Sequence, residues 1–175
     1  MVNADAKNRA TIRSTETKDW QTIRDVILKM LADAPHAFGD TLVAAESRDM
    51  QEWQQLIEYL THAPHGCGYI AEDHQGECGF VSGNTRRLPP GVVSVARLWV
   101  APRQRGRGLG RELMDAVTCW AEEQGMGQIL VGVKDTNLDV IRFFEHLGYH
   151  DTGIREQVSD DAPGQIILMV RKLEP

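Results

Sequence analysis

Cysteine is scarce in this chain: 175 residues contain only Cys67, Cys78 and Cys119, an odd number with no C-x-x-C pair. That excludes a disulfide framework and a zinc site of ordinary spacing, and the six histidines show no metal-ligand spacing either. The three thiols are expected to be reduced and mostly buried, and no metal is expected. Positive charge is also in the minority, with 19 Lys+Arg against 25 Asp+Glu, a net charge of −6 and no Lys-rich run. General nucleic-acid binding is therefore not expected, and the acidic balance faintly favours a cationic small-molecule partner. Long apolar runs are missing. No stretch approaches the roughly 20 residues that span a bilayer, and the start MVNADAKNRAT has no apolar signal-peptide core, so no membrane partner is expected and the cytoplasm is the expected location. What remains is a 42% hydrophobic chain long enough to bury a core unaided.

The first eight residues offer nothing that would anchor them and are expected to fray, leaving residues 9–174 as one domain. A short strand fits Ala10 to Arg13. Asp19 reads as the N-cap of a helix carrying Trp20, Ile23, Ile27, Met30 and Leu31, stopped by Pro35. Residues 36–47 show no clear period. Asp49 and Glu52 form a capping-box pattern ahead of a second helix with Trp53, Leu56, Ile57 and Leu60. On that helix Trp53 fits the apolar stripe and reads as core. His65 to Gly68 breaks the pattern, and residues 69–71 and 79–82 read as a hairpin. A β-branched strand from Val92 to Val100 is stopped by Pro102. Leu109, Leu113, Val117 and Trp120 then make one helix face, Ile129 to Val133 the next strand, and Asn137 caps a helix with Val140, Phe143, Phe144 and Leu147 in register. Gly148 stands where a left-handed terminator belongs, and two strands, about 151–157 and 165–172, complete a mixed α/β domain without internal repeats.

The most informative segment is Arg103-Gln104-Arg105-Gly106-Arg107-Gly108-Leu109-Gly110-Arg111, between a strand and a helix. Alternating glycines let several backbone N–H groups turn toward one point beside the positive helix end, a place that binds phosphate. Arg97, Arg103, Arg105, Arg107 and Arg111 add a local +5 with no acid between them, and guanidinium suits the forked binding of phosphate oxygens. A diphosphate ligand follows. There is no Gly-Lys-Ser/Thr ending for a Walker A loop, and Arg111 stands where a dinucleotide fingerprint from Gly106 needs glycine.

Leu98-Trp99-Val100-Ala101-Pro102-Arg103-Gln104-Arg105-Gly106-Arg107-Gly108-Leu109-Gly110 resembles the acetyl-CoA signature of the GNAT superfamily of N-acetyltransferases. Asn137-Leu138-Asp139-Val140-Ile141-Arg142-Phe143-Phe144-Glu145-His146-Leu147-Gly148-Tyr149 resembles the family's second signature, and the similarity runs from about Ala10 to Leu173. The resemblance implies a mostly antiparallel sheet flanked by helices, whose central strands, 92–100 and 129–133, splay to admit the thioester. It implies acetyl-CoA as acyl donor, held by the backbone of Leu98, Trp99 and Val100, by Arg105, Gly106, Arg107, Gly108, Leu109, Gly110 and Arg111, and by Asn137 and Phe144. Judged alone, Asn137 is equally a plain helix cap. In position, the segment holding Phe38 and Asp40 and the Ser159–Gly164 loop resemble segments that close over an acceptor, and the helix carrying Tyr59 often borders it. A homodimer is compatible with the family.

The implied reaction is direct attack of a primary amine of a small molecule on the acetyl carbonyl. A CoA-binding sensor with little turnover, or acetylation of protein N-termini or lysines, are the alternatives. An alkyl amine of pKa near ~10.4 is neutral in only about one molecule in 2,500 at pH 7, so proton removal must be arranged. The backbone N–H near Val100 is the expected oxyanion donor. Many relatives place a tyrosine acid where this chain has Phe144, so the thiolate either leaves as an anion or is protonated by water or substrate. Tyr149 is expected to pack. Residues 92–100 hold no acid; Asp40 and Glu46 are candidates for a base acting through water, with plain solvated carboxylates the simpler account.

Overall fold

The computed structural model describes residues 9–159 and 162–174. The chain runs β1 (Thr11–Ser14), α1 (Trp20–Asp33), α2 (Leu42–Glu46), α3 (Met50–Thr61), β2 (Gly66–Asp73), β3 (Gly76–Asn84), β4 (Val92–Val100), α4 (Leu109–Glu123), β5 (Gln128–Lys134), α5 (Leu138–His146), β6 (His150–Ser159) and β7 (Ala162–Lys172). The strands form one seven-stranded sheet in the order β1-β2-β3-β4-β5-β7-β6. Neighbours are antiparallel except β4 and β5, which run parallel because α4 carries the chain back between them.

Apolar spacing decides what each helix covers. α1 buries Ile23, Val26, Ile27, Met30 and Leu31, and α4 buries Leu109, Leu113, Met114, Val117, Trp120 and Ala121. α4 lies on the sheet face where a Cβ at Gly79 or Gly83 would meet Leu113 or Val117. α3 lies on the other face, so close that a Cβ at Gly66 would sit 2.7 Å from the Tyr59 carbonyl oxygen. Glycine at 66 is what lets this helix and strand approach. The capping box of α3 forms as expected, Asp49 and Glu52 exchanging backbone and side-chain hydrogen bonds of 2.9 Å.

One irregularity in β4 shapes the site. Phe80 pairs with Trp99, but Ser82 pairs with Ala96, so two steps on β3 oppose three on β4. The extra residue is a β-bulge, with Arg97 at φ 58°, a left-handed conformation uncommon outside glycine. Since opposed residues share a face, Trp99 and Ala96 point the same way despite their odd separation. Pairing with β5 runs from Val92↔Gln128 to Val95↔Val131 and stops there. Beyond it the two strands part.

Five sequence expectations need correction. Residues 36–47 hold the short helix α2, its first turn capped by the Thr41 hydroxyl, which accepts from Ala44 N–H; five residues are too few for a period to show. β2 starts at Gly66, inside the stretch read as a break, because its glycines serve close packing instead of turning. Asp19 does stand at the N-cap of α1, yet its buried carboxylate accepts from Arg13 at 2.7 Å and from Glu16 N–H at 2.8 Å instead of capping that helix. Cys67 and Cys78 are buried free thiols, whereas Cys119 is exposed on α4. Asp40, read as a solvated carboxylate, is ion-paired to Arg48 at 2.6 Å. Residues 1–8 and the centre of the Ser159–Gly164 loop, Asp160 and Asp161, lie outside the described residues.

Candidate functional site

The parting of β4 and β5 opens a cleft of about 170 Å³. Val95, Ala96, Arg97 and Leu98 form one wall, Val131 to Lys134 the other. Asn137, Val140, Phe143 and Phe144 close it on the α5 side, and Ala37 and Phe38 border it opposite. Asn137 caps α5 by accepting from Val140 N–H at 3.4 Å, and the same residue lines the cleft. Phe144 is buried, packed edge-on between Phe143 (5.2 Å) and Tyr149 (5.3 Å). Tyr149 packs, as its position predicts; burial pushes its phenol well above the usual range, which leaves it a poor proton donor. Trp99 and Val100 do not line this cleft. The Trp99 indole N–H donates to Asp33 at 2.9 Å.

The glycine turn follows β4 directly. A 3-10 turn at Pro102–Gln104 leads into Gly106 (φ 73°) and Gly108 (φ 88°), and Gly108 is the N-cap of α4 with no side chain capping the helix. The first-turn N–H groups of a 15-residue helix are thereby left without a capping side chain, which suits an anion. At Gly110 a Cβ would meet the Phe143 ring at 3.3 Å, so α4 and α5 approach closely at the cleft.

The five arginines do not converge, which corrects the expected local +5. Arg103 clamps the fully buried Asp73 carboxylate at 3.0 and 3.1 Å and also donates to the Gly76 and Glu77 carbonyls. Arg105 donates through Nε to the Val100 carbonyl at 2.9 Å and pairs with Asp33. Arg111 reaches the His146 carbonyl at 3.4 Å, at the end of α5. Arg107 is exposed on the turn itself. Arg97 lines the cleft wall instead. What suits the turn to an anion is its shape and helix end more than summed charge.

Of the three residues expected near an acceptor, Phe38 borders the cleft, but Asp40 and Glu46 do not. Asp40 accepts from Arg48 at 2.6 Å and from Thr41 N–H at 3.0 Å; Glu46 is exposed on α2. Trp53 is core, under the Arg48 guanidinium at 5.2 Å. Sequence reasoning counted Arg97 with the turn and missed that it lines the cleft. The signal was a lone cation interrupting Val-Ser-Val-Ala-Arg-Leu-Trp-Val, where every other large side chain is apolar. Phe143 and Val140 were visible on the α5 stripe but were read as packing. Among the described residues no cluster of His, Cys, Asp or Glu could hold a metal, and no helix is long and apolar enough to cross a membrane.

Comparison with known proteins agrees with this geometry. A crystal structure of a GNAT-family acetyltransferase from Streptococcus pneumoniae superposes with a TM-score of 0.80 over 95% of this chain and 100% of its own, at 15% identity. Spermidine N-acetyltransferase from Vibrio cholerae, solved with CoA and spermine, gives a TM-score of 0.71 at 16% identity, covering 93% of this chain and 95% of its own. At these identities the likeness is one of fold. In sequence, the mouse protein named "Probable N-acetyltransferase family 8 member 5" is 26% identical over 137 residues, 77% of this chain. The chain spans 58% of that relative's length. The model of the Acetyltransferase (GNAT) family matches residues 27–149, which include the splayed strands, the glycine turn and α5. With most of its length matched, including every element that builds the cleft, this chain belongs to the GNAT acetyltransferase family.

Proposed function

We propose that the protein transfers the acetyl group of acetyl-CoA to a primary amine of a small molecule. The observation that carries this reading is the end of β4–β5 pairing at Val95↔Val131 beside the uncapped N-terminus of α4. In this reading the N–H groups around Gly106, Gly108, Leu109, Gly110 and Arg111, with Arg105 and Arg107 at the rim, take the diphosphate. The backbone of Leu98, Trp99 and Val100 takes the pantetheine arm, and Asn137 and Phe144 bound its far side. The amine nitrogen attacks the acetyl carbonyl, a C–N bond forms, the C–S bond breaks, and the thiolate leaves. The Val100 N–H is assigned to the oxyanion. The amine's proton passes to water, and because a thiol's pKa is roughly 8.5 the leaving group needs no dedicated acid near neutrality. Phe144 holds none to give.

Calorimetric titration with acetyl-CoA and thiol release with a panel of amines test the proposal. Binding with turnover supports it. Tight binding with no turnover on any amine would instead favour a CoA-binding sensor, the reading that Phe144 invites. Absence of binding ends both.

Catalysis is then mainly positioning and oxyanion stabilisation. Asp40→Ala and Glu46→Ala should each keep kcat within about tenfold of the parent, because neither carboxylate lines the cleft and Asp40 is already spoken for by Arg48. A loss of three orders of magnitude in steady-state thiol release would identify a base and overturn this account.

A further inference from the structure

A second cavity, of about 320 Å³, adjoins the acyl cleft, and Arg97 lines both. Its charged lining is Arg48, Arg86, Arg97 and Glu52. Glu52 is committed to the α3 capping box, and Arg48 is paired to Asp40. Arg86, exposed on the loop after β3, and Arg97, half-buried in the bulge, make no hydrogen bond or ion pair among the described residues. Tyr59 also lines the cavity, its hydroxyl shielded from solvent and without a hydrogen-bond partner among the described residues.

Two unpaired guanidinium groups lining one cavity form a receptor for an anion. Desolvation lowers the Arg97 pKa, with Asp40 acting against it and Arg48 adding to it; the group stays charged, and a carboxylate partner would offset that cost. The volume, at the small end of ligand cavities, suits a metabolite-sized molecule. We propose that the acceptor is a small amine that also bears a carboxylate, its anion held by Arg86 and Arg97 and its amine directed past the bulge into the acyl cleft. The proposal rests on the acetyltransferase reading above. It reverses the faint preference for a cationic acceptor drawn from net charge, because the local sign at the cavity is opposite to that of the whole chain.

The test uses the full chain, with thiol release from acetyl-CoA and matched acceptors: methionine and methioninamide, glutamine and its α-amide, β-alanine and β-alaninamide, plus spermidine and an acidic peptide. The carboxylate member of at least one pair should be favoured at least about tenfold in kcat/KM, although the amide's amine releases its proton more readily. Arg86→Gln, on an exposed loop, and separately Arg97→Gln should each reduce that ratio by about 10-fold or more, mostly through KM for the carboxylate, as expected for loss of a charge-assisted hydrogen bond. Calorimetry with acetyl-CoA is run on every variant. Preference for amides or spermidine, acetylation of the peptide alone, a ratio unmoved in both variants, or no acceptor used by protein that binds acetyl-CoA would each overturn the proposal. If acetyl-CoA itself gives no heat, the reading of the cleft fails first and takes this one with it.

Discussion

Gly108→Val should weaken acetyl-CoA binding by about 10- to 100-fold while leaving the protein folded. Nothing lies within 4 Å of a Cβ built at Gly108, so the penalty comes from the backbone itself. At φ 88° a β-branched residue costs on the order of 1–3 kcal/mol, and each ~1.4 kcal/mol is a factor of ten in affinity. The turn can escape the strain only by rotating φ. That swings the first-turn N–H groups of α4 off their common focus. Asparagine tolerates the left-handed region, so Gly108→Asn should lose no more than about threefold. Titration calorimetry on both variants decides the matter: equal losses for valine and asparagine would mean that backbone geometry at this residue is not what holds the ligand.

The second large effect is on stability. Asp73 is fully buried as a carboxylate and accepts from Arg103 at 3.0 and 3.1 Å, from Gln104 at 2.7 Å and from Gln75 N–H at 2.8 Å. Chiefly through Arg103, these donors hold its pKa well below the usual carboxylate range against the opposing pull of burial. Arg103→Ala leaves the charge buried with two weaker donors, and about 2–3 kcal/mol should be lost, less than the 3–5 of a wholly buried pair because Arg103 is partly exposed. For a chain of this size that is about 4–12 °C in Tm. The pH dependence has a definite sign. A depressed folded-state pKa contributes fully at pH values above the unfolded value near ~3.9 and is lost as pH falls through that value toward the folded one. Asp73→Asn should therefore melt lower than the parent at pH 7 but lose less Tm between about pH 5 and 2.5. Parallel slopes in thermal melts would remove Asp73 from the acid response.

Local rules carried most of the fold. The α3 capping box, the α4 stripe, the Val92–Val100 strand and the left-handed Gly148 (φ 83°) each depend on residues a few positions apart and stand where spacing puts them. The glycine turn was legible for the same reason. Long-range pairings were not. Nothing near Arg103 in the chain announces Asp73, 30 residues away, and nothing near Arg105 announces Asp33, 72 residues away. Counting arginines along the segment therefore overstated the charge at the turn. The bulge was hidden too, since an extra residue in β4 shows only in its register against β3. Arg97 was counted with the arginines of the glycine turn, while it lines two cavities that only the tertiary structure brings to it.

The extra residue at Arg97 has a topological effect. Upstream of it, the odd-numbered side chains Val93 and Val95 share a face with Gly83, whereas downstream Trp99 shares the opposite face with Phe80. Removing one residue there would restore a single parity along the ribbon. The indole would turn under α4, Asp33 would lose a donor, and the seam with β5 could zip onward. The aperture is thus a dislocation in the weave of the sheet, and exchanging side chains re-lines it without sealing it.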